Sequence, residues 1–234
     1  MKQSLAKYKK EVGVLIKPPD FWLFDLDNTL YPAESELFSQ IDDRMGSYIS
    51  QILNIGRPEA RIIQKNYYAE YGTTLSGLIQ NHRIDPDAYL DYVHDIDLSV
   101  IDPSPRLDQL LKKMPGKKYI FTNGSVSHAE NVMSRLGIAE RFVAIQDIKA
   151  SNYVPKPDPS AYSGVISRFG ISPEATIMLD DIPQNLVPAA NLGITTVWVK
   201  NARWDRPMPE KHVNFVTENL PDWLSQIPEG LVEV

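Results

Sequence analysis

The chain has 234 residues and a formal net charge of -6, which argues against a nucleic-acid partner or an anionic membrane surface. It contains no cysteine, so disulfides, zinc–thiolate sites and thiol nucleophiles are excluded, and a hydrophobic share of 43% is typical of a globular protein. The basic start, MKQSLAKYKKEVG, lacks the apolar stretch of a signal peptide, and no segment approaches the ~20 apolar residues of a membrane span. We therefore expect a cytoplasmic protein, either a monomer or a homodimer.

The first predicted element is a strand over Phe21–Leu26, an apolar run that reaches Asp25 near its end. Asp27 follows two residues later, beside Asn28, with no basic residue nearby. An Asp-x-Asp pair of this kind is usually a solvated turn. It could instead hold a cation or carry out chemistry, because two neighbouring carboxylates repel each other unless something offsets their charge.

A helical region follows this strand, from Ser35 to about His94. Breaks at Gly56-Arg57-Pro58, Gly72-Thr73-Thr74 and Asp85-Pro86 predict about four helices. The region either thickens the fold or forms a lid over the end of the first strand, where both of its ends must attach.

The rest of the chain alternates short apolar strands with amphipathic helices. The further predicted strands are Lys118–Thr122, Val143–Gln146, Thr176–Leu179, Thr195–Val199 and an edge strand, Asn214–Val216, and the helices between them are Ser127–Leu136, Pro159–Phe169 and Pro183–Asn191. This alternation predicts an α/β fold, with a Rossmann-like parallel sheet core and a helical cap inserted after the first strand. We expect residues 1–32 and 102–234 to form the catalytic core and residues 33–101 to form the cap domain.

Polar residues stand where the predicted strands end. Thr122 and Asn123 end the second strand, Asp180 and Asp181 end the fourth, and Lys156 lies between two prolines in VPKPDP. We expect no core contact for this lysine, because it sits on a proline-framed loop. The carboxyl ends of parallel strands meet at one edge of a sheet, so the acids should gather there and need a cation, for which oxygen ligands favour Mg²⁺. A phosphate could then complete the site, held by the lysine, hydroxyl and amide groups.

Four segments in this order, DLDNTL, FTNG, PKP and LDD, resemble the motifs of the haloacid dehalogenase superfamily of phosphohydrolases. The resemblance spans about Phe21–Val199 and implies a phosphoric monoester hydrolase that works through an aspartyl-phosphate. It implies that Asp25 attacks phosphorus, and that Asp27 protonates the leaving oxygen and then activates water.

The same resemblance implies a Mg²⁺ site made by Asp25, the backbone carbonyl of Asp27 and an acid of the last motif. By alignment that acid is Asp181, with Asp180 acting through a bound water, but a small shift in the turn would exchange their roles. The phosphate-binding residues that the motifs imply are Asn28, Thr122, Asn123, Gly124 and Lys156, and Lys156 is also expected to serve catalysis.

Two further segments narrow the resemblance. Tyr31-Pro32 and the insertion text NYYAEYGTTLSGLI are similar to the pyrimidine 5'-nucleotidase branch, which hydrolyses nucleoside monophosphates such as UMP and CMP. Under this hypothesis Tyr71, Thr73 and Thr74 line the cavity and contact a base or ribose. The alternative is that the tyrosines of this segment, which recur at helical spacing, pack within the cap.

Other interpretations remain open. The chain could be a phosphatase for another small phosphate, such as a sugar phosphate or phosphoglycolate, or a phosphomutase, which shares the core motifs. From another class, a calcium-binding helix–loop–helix could begin at Asp25, although Leu30 replaces the expected glycine, and a non-catalytic binding module would leave the acids unexplained. The four histidines show no ligand spacing, and we expect surface or capping roles for them.

Overall fold

The computed structural model describes residues 18–202 and 211–227, so the basic N-terminal segment lies outside the described residues. Six strands form one sheet: β1 (Phe21–Phe24), β2 (Lys117–Phe121), β3 (Ala144–Gln146), β4 (Thr176–Asp180), β5 (Thr195–Val199) and β6 (Phe215–Thr217). Their order is β3-β2-β1-β4-β5-β6, and every neighbouring pair is parallel. This is the doubly wound order, so the predicted Rossmann-like α/β fold is confirmed.

Nine α-helices lie within the described ranges: α1 (Leu37–Leu53), α2 (Arg57–Tyr71), α3 (Thr74–His82), α4 (Pro86–Val93), α5 (Pro105–Lys113), α6 (Val126–Leu136), α7 (Pro159–Phe169), α8 (Leu186–Asn191) and α9 (Leu220–Leu224). Parallel strands cannot be joined by tight turns, which is why a helical segment separates most of them. No helix within those ranges is long and apolar enough to cross a membrane.

The sheet is buried on both faces, as the side chains of β1 show. Trp22 and Phe24 pack into one apolar cluster, with Val132 of α6, whereas Leu23 packs into a second cluster with Tyr162 of α7. Successive strand residues point to opposite faces, so a strand buried on both sides must be apolar throughout. That requirement explains the uninterrupted FWLF run. Asp25, the next residue, is the first polar side chain at the end of this buried strand.

Helices α1 to α4 form the insertion after β1 and have an apolar cluster of their own. Ile41, Leu78 and Tyr89 belong to this cluster, and Ile148, from the loop after β3, packs into it. The Tyr153 hydroxyl of the same loop donates a hydrogen bond to Asp87 at 2.7 Å. The insertion therefore contacts the loops at the carboxyl edge of the sheet; its treatment as a separate cap domain stays a prediction.

One predicted helix is wrong in detail. Residues Pro183–Asn185 form a 3₁₀ turn and only Leu186–Asn191 is α-helical, in place of a single helix over Pro183–Asn191. Pro188 has no N–H to donate to the carbonyl of Gln184, so a regular α-helical bond cannot form across this turn.

Candidate active site

Three carboxylates meet where β1 and β4 end. The Asp25 backbone N–H donates to the Leu179 carbonyl at 2.9 Å, which keeps the residue after β1 aligned with β4. One carboxylate oxygen each from Asp25, Asp180 and Asp181 lies within 4.8 Å of the others, and all three residues are buried. Because Asp25 follows a strand and not a helix, the calcium-binding helix–loop–helix interpretation is wrong.

Lys156 is the cation of this cluster. Its Nζ lies 2.8 Å from Asp25 Oδ1 and 2.7 Å from Asp180 Oδ2. The expectation that it makes no core contact is wrong, because the side chain is buried and its Nζ lies 5.2 Å from the centroid of the Phe121 ring. The Asn123 side chain turns the loop inward: its Oδ1 accepts from the Lys156 N–H at 2.8 Å and its Nδ2 donates to the Lys156 carbonyl at 3.1 Å.

Burial dominates the electrostatics of the cluster. It raises the pKa of Asp25 to about 7, an effect that Lys156 opposes and Asp180 reinforces. Burial, together with the neighbouring carboxylates, raises the pKa of Asp181 well above its usual value. Burial acts to lower the pKa of Lys156, but Asp180 and Asp25 more than offset this and raise it above its usual value. The lysine is therefore fully charged, while burial and the neighbouring acids disfavour the ionised forms of Asp25 and Asp181.

The two adjacent acids differ in their contacts. Asp180 accepts hydrogen bonds at both oxygens, from the Ile182 N–H, the Asn185 amide and Lys156. Asp181 accepts one, at Oδ2 from Asn201 at 3.0 Å, and within the described residues its Oδ1 accepts none. Asp181 therefore has the more available ligand oxygen.

The cluster fits a hard divalent cation. When ionised, its three carboxylates and one ammonium leave two negative charges in a buried space. The turn after β1 also holds the buried Asn28 Oδ1, which has no hydrogen-bond partner among the described residues. Buried oxygen acceptors without partners are expected where a bound group supplies the missing contact.

Asp27 faces a different environment from the other acids. Its Oδ1 accepts a hydrogen bond from the Tyr31 hydroxyl at 2.6 Å and lies 2.8 Å from His128 Nε2. Burial acts to raise the pKa of Asp27, but His128 and the hydrogen bond from Tyr31 hold it below its usual value. Before a substrate binds, these contacts thus favour the carboxylate form of Asp27, the form that accepts a proton.

The histidine expectation is wrong for His128, whereas His94 is the C-cap residue of α4. His128 is buried, and the His94 ring at the end of α4 stacks on it with a centroid distance of 4.3 Å. Burial lowers the pKa of His94 to about 3. One sequence signal could have identified His128: it stands three residues after Ser125, the N-cap of α6, and helical side chains tilt toward the N-terminus, which here faces the strand ends.

The other predicted phosphate-binding residues lie in the turns around the cluster. Asn28 adopts a left-handed conformation, with φ of 59°, which reverses the chain after β1. The Gly124 N–H donates to Thr122 Oγ1 at 3.0 Å, which leaves the hydroxyl proton of Thr122 available to a ligand. The Asn123 amide was expected to hold phosphate, but the structure pairs it mainly with the Lys156 backbone.

The predicted cap residues lie around the turn between α2 and α3, and their role at the site stays a prediction. A Cβ on Gly72 would lie 3.6 Å from Cγ of Pro155, the residue before Lys156, so this turn passes near the lysine loop. The Thr73 Oγ1 accepts from the Ser76 N–H as the N-cap of α3, and Thr74 is buried. Tyr71 is partly buried, with its ring 5.8 Å from that of Tyr67.

The fold and these contacts define a hydrolase-type site, with a buried acid cluster and one lysine at the carboxyl edge of a Rossmann-like sheet. The haloacid dehalogenase-like hydrolase model matches residues 22–193, and the chain belongs to this family. The chain was predicted to be a phosphoric monoester hydrolase. Its family and its phosphatase relatives confirm this class of enzyme.

Two curated proteins are similar to the chain in sequence, and a solved structure is similar to it in fold. It is 27% identical over 217 residues to phosphate metabolism protein 8 of Saccharomyces cerevisiae, covering 82% of this chain and 68% of that protein. It is 24% identical over 216 residues to glyceraldehyde 3-phosphate phosphatase of Methanocaldococcus jannaschii, covering 86% of this chain and 93% of that protein. Its fold is similar to that of the HAD-hydrolase YfnB from Bacillus subtilis, in a crystal structure bound to magnesium, with a TM-score of 0.58 at 17% identity, covering 93% of this chain and 100% of that chain.

Proposed function

We propose that the protein is a Mg²⁺-dependent phosphomonoester hydrolase that acts through an aspartyl-phosphate on Asp25, with pyrimidine nucleoside monophosphates such as UMP and CMP as substrates. The contact that carries the proposal is the one between Lys156 and Asp25. It holds a cation against one oxygen of a carboxylate, while Thr29 Oγ1 donates to the other at 2.9 Å. A carboxylate oriented in this way can attack phosphorus without moving far.

The chemistry divides into two transfers. In the first, Asp27 takes up a proton from solvent when the negatively charged phosphate binds beside it. An Asp25 oxygen then bonds to phosphorus as the bond to the leaving oxygen breaks, and Asp27 gives that oxygen the proton. In the second, water bonds to phosphorus, Asp27 takes a proton from the water, and the bond between phosphorus and Asp25 breaks. Lys156 and the Thr122 hydroxyl bind the negative oxygens of the transferring group in both steps.

Mg²⁺, held by Asp25, the Asp27 carbonyl and Asp181, would neutralise phosphate charge and orient the nucleophile. The hydrogen bonds that occupy both oxygens of Asp180 support a direct contact from Asp181 and a water-mediated role for Asp180.

The substrate proposal rests on the insertion. The site holds the phosphoryl group, which all phosphomonoesters share, so selection must come from the segment over the strand ends. The Tyr153 hydrogen bond to Asp87, which joins the insertion to the loop that carries Lys156, supports an assignment of Tyr71, Thr73 and Thr74 to the base and ribose. A base stacked on a tyrosine would contribute ~1 to 3 kcal/mol.

Phosphate release from a panel of substrates tests this function. We expect turnover of UMP and CMP ahead of AMP and GMP with Mg²⁺, weak turnover of phosphoglycolate, and none in excess chelator. Full turnover in chelator would contradict the metal-dependent mechanism. Transfer of phosphate within a substrate, without release, would instead identify a phosphomutase.

A second candidate is a small sugar phosphate. Two relatives, from Methanocaldococcus jannaschii and Methanopyrus kandleri, are named glyceraldehyde 3-phosphate phosphatases, and the alignments cover 86% and 91% of this chain. Preferred hydrolysis of glyceraldehyde 3-phosphate in the same panel would leave the mechanism standing and replace the nucleotide proposal.

A further inference from the structure

The two carboxylate oxygens of Asp27 differ in their contacts: two side chains contact Oδ1, and none of the described residues donates a hydrogen bond to Oδ2. The Tyr31 hydroxyl donates to Oδ1 at 2.6 Å, and His128 Nε2 lies 2.8 Å from the same Oδ1. Within the described residues, Oδ2 accepts no hydrogen bond and is not among the buried unpartnered atoms. The Asp27 side chain keeps 14% of its surface exposed. The carboxylate therefore has one fixed oxygen and one accessible oxygen.

The two side chains that contact Asp27 Oδ1 come from different parts of the fold. Tyr31 is buried and lies four residues after Asp27, whereas His128 comes from the first turn of α6, 101 residues away in sequence. Because a carboxylate only accepts, His128 must carry its proton on Nε2 to make this contact.

The insertion supports His128 from one side. The His94 ring is nearly parallel to that of His128, at 9°, and its Nδ1 lies 3.0 Å from Ser125 Oγ. The His128 N–H donates to the same Ser125 oxygen at 3.3 Å. A Cβ on Gly124 would lie 3.3 Å from His128 Cδ2, so the backbone of this turn passes close to the imidazole.

We propose that Tyr31 and His128 are positioning residues that fix Asp27 by its Oδ1 and reserve Oδ2 for proton exchange. This inference rests on the proposed function, in which Asp27 is the acid and base. Oδ2 takes up a proton from solvent when the substrate phosphate binds beside it. As the bond between phosphorus and the leaving oxygen breaks, this proton passes to that oxygen. When water later attacks the phosphorus on Asp25, Oδ2 takes the proton back and the bond between phosphorus and Asp25 breaks.

If Tyr31 and His128 position the acid, their loss should affect substrates differently according to the basicity of the leaving oxygen. A purely structural role would slow all substrates alike. A basic leaving oxygen needs the proton during bond cleavage, whereas p-nitrophenolate leaves readily without it. Loosening Asp27 should therefore slow phenyl phosphate more than p-nitrophenyl phosphate, two substrates of nearly the same shape. The value of kcat/KM reports the first transfer even where water attack limits turnover.

The experiment compares kcat/KM for both substrates in wild type, Tyr31→Phe, His128→Ala and His128→Gln. We expect about tenfold or greater loss on phenyl phosphate, a several-fold smaller loss on p-nitrophenyl phosphate, and partial recovery in His128→Gln, whose amide can donate to Oδ1. Tyr89→Phe is the matched control, because the buried Tyr89 hydroxyl has no partner among the described residues and its removal should leave both rates unchanged.

Equal losses of kcat/KM on the two substrates, or no loss on either, would overturn the inference. Melting temperatures of Tyr31→Phe and His128→Gln serve as the control that the compared proteins are folded. Asp27→Asn separates this failure from failure of the proposed function. If Asp27→Asn retains the wild-type rate on phenyl phosphate, the acid assignment itself fails. If Asp27→Asn loses that rate while Tyr31→Phe and His128→Ala do not, only the positioning role fails.

Discussion

At the scale of single residues, the site depends on a buried lysine that two carboxylates share. Lys156→Met removes the charge and keeps much of the volume, so Asp25 and Asp180 lose their cation. In chelator at pH 8 we expect a loss of about 3 to 5 kcal/mol in the free energy of unfolding, because buried charges are left unpaired. Hydrolysis should fall at least ~10²-fold, since the lysine also binds the transferring group.

Denaturant unfolding and phosphate release measure these two losses. Lys113→Met is the control: Lys113 is exposed in the last turn of α5, and its replacement should change stability by less than about 0.5 kcal/mol. Wild-type stability and rate in Lys156→Met would show that the ion pairs in the site do not matter.

The roles of single residues could be predicted from the sequence where the residues that act together are close to each other along the chain. Asp25 and Asp27 could be picked out because they interrupt an apolar strand. The burial of Lys156 could not, because it depends on a contact with Asn123, 33 residues away. The pairing of His128 with Asp27 joins residues 101 apart, and no spacing in the sequence reports it.

At the scale of elements, helices α2 and α3 pack closely at one glycine. A Cβ on Gly77 would lie 2.4 Å from Cγ of the Tyr67 ring, closer than packed atoms approach. Gly77→Ala should therefore separate the two helices or displace the tyrosine, with a loss of ~1 to 3 kcal/mol. Tyr67 also contacts Tyr71, so the KM for nucleotides should rise along with the loss of stability.

Gly164→Ala gives the matched comparison for thermal unfolding. Gly164 lies inside α7, and a Cβ there would meet nothing within 4 Å. Alanine should raise stability by up to about 1 kcal/mol, because glycine is the weaker helix former. Equal effects at the two positions would mean that the α2–α3 contact is looser than described.

The elements themselves were largely predictable. The strand predicted over Thr195–Val199 and the helix over Pro159–Phe169 are confirmed with the same bounds, because each apolar run is delimited by turn or capping residues. Asp158 caps that helix as its Oδ1 accepts from the Ser160 N–H at 2.8 Å. The placement of the insertion against the loop after β3 was not predictable, because Ile148 carries no local signal of its partners.

At the scale of the whole molecule, the insertion should select the substrate. Tyr71→Ala should raise the KM for UMP by about tenfold if the ring stacks on the base, and should change the KM for p-nitrophenyl phosphate much less. Tyr68→Ala, on the same helix with 42% of its surface exposed, is the control. Equal rises for both substrates would indicate that Tyr71 only packs against Tyr67.

The cluster should also link stability to pH and cation. The folded protein holds a proton on Asp25 up to about pH 7, and the unfolded chain releases it near 3.8. Without cation, this group's contribution to the free energy of unfolding therefore declines as pH rises from about 4 to 7, because the folded state binds more protons there. A divalent cation competes with those protons, so its stabilising effect should grow over the same range.

Melting temperatures with and without Mg²⁺ at pH 5.5 and 7.5 measure this link. We expect a larger Mg²⁺-induced rise at pH 7.5, and a strongly reduced rise in Asp181→Asn. The exposed Asp20 provides a control, since Asp20→Asn should keep the wild-type behaviour. An equal rise at both pH values would contradict the assignment of the cation to these carboxylates.

The most direct measurement of the central claim is the trapping of a phosphoenzyme. Wild type and Asp27→Asn are mixed with ³²P-labelled UMP or, if UMP is not hydrolysed, with labelled p-nitrophenyl phosphate, then quenched in acid and mapped by peptide analysis. We predict label on Asp25 in both proteins, more persistent in Asp27→Asn because water attack lacks its base, and none in Asp25→Asn. Label that persists in Asp25→Asn, or hydrolysis at the wild-type rate by that variant, would contradict the account.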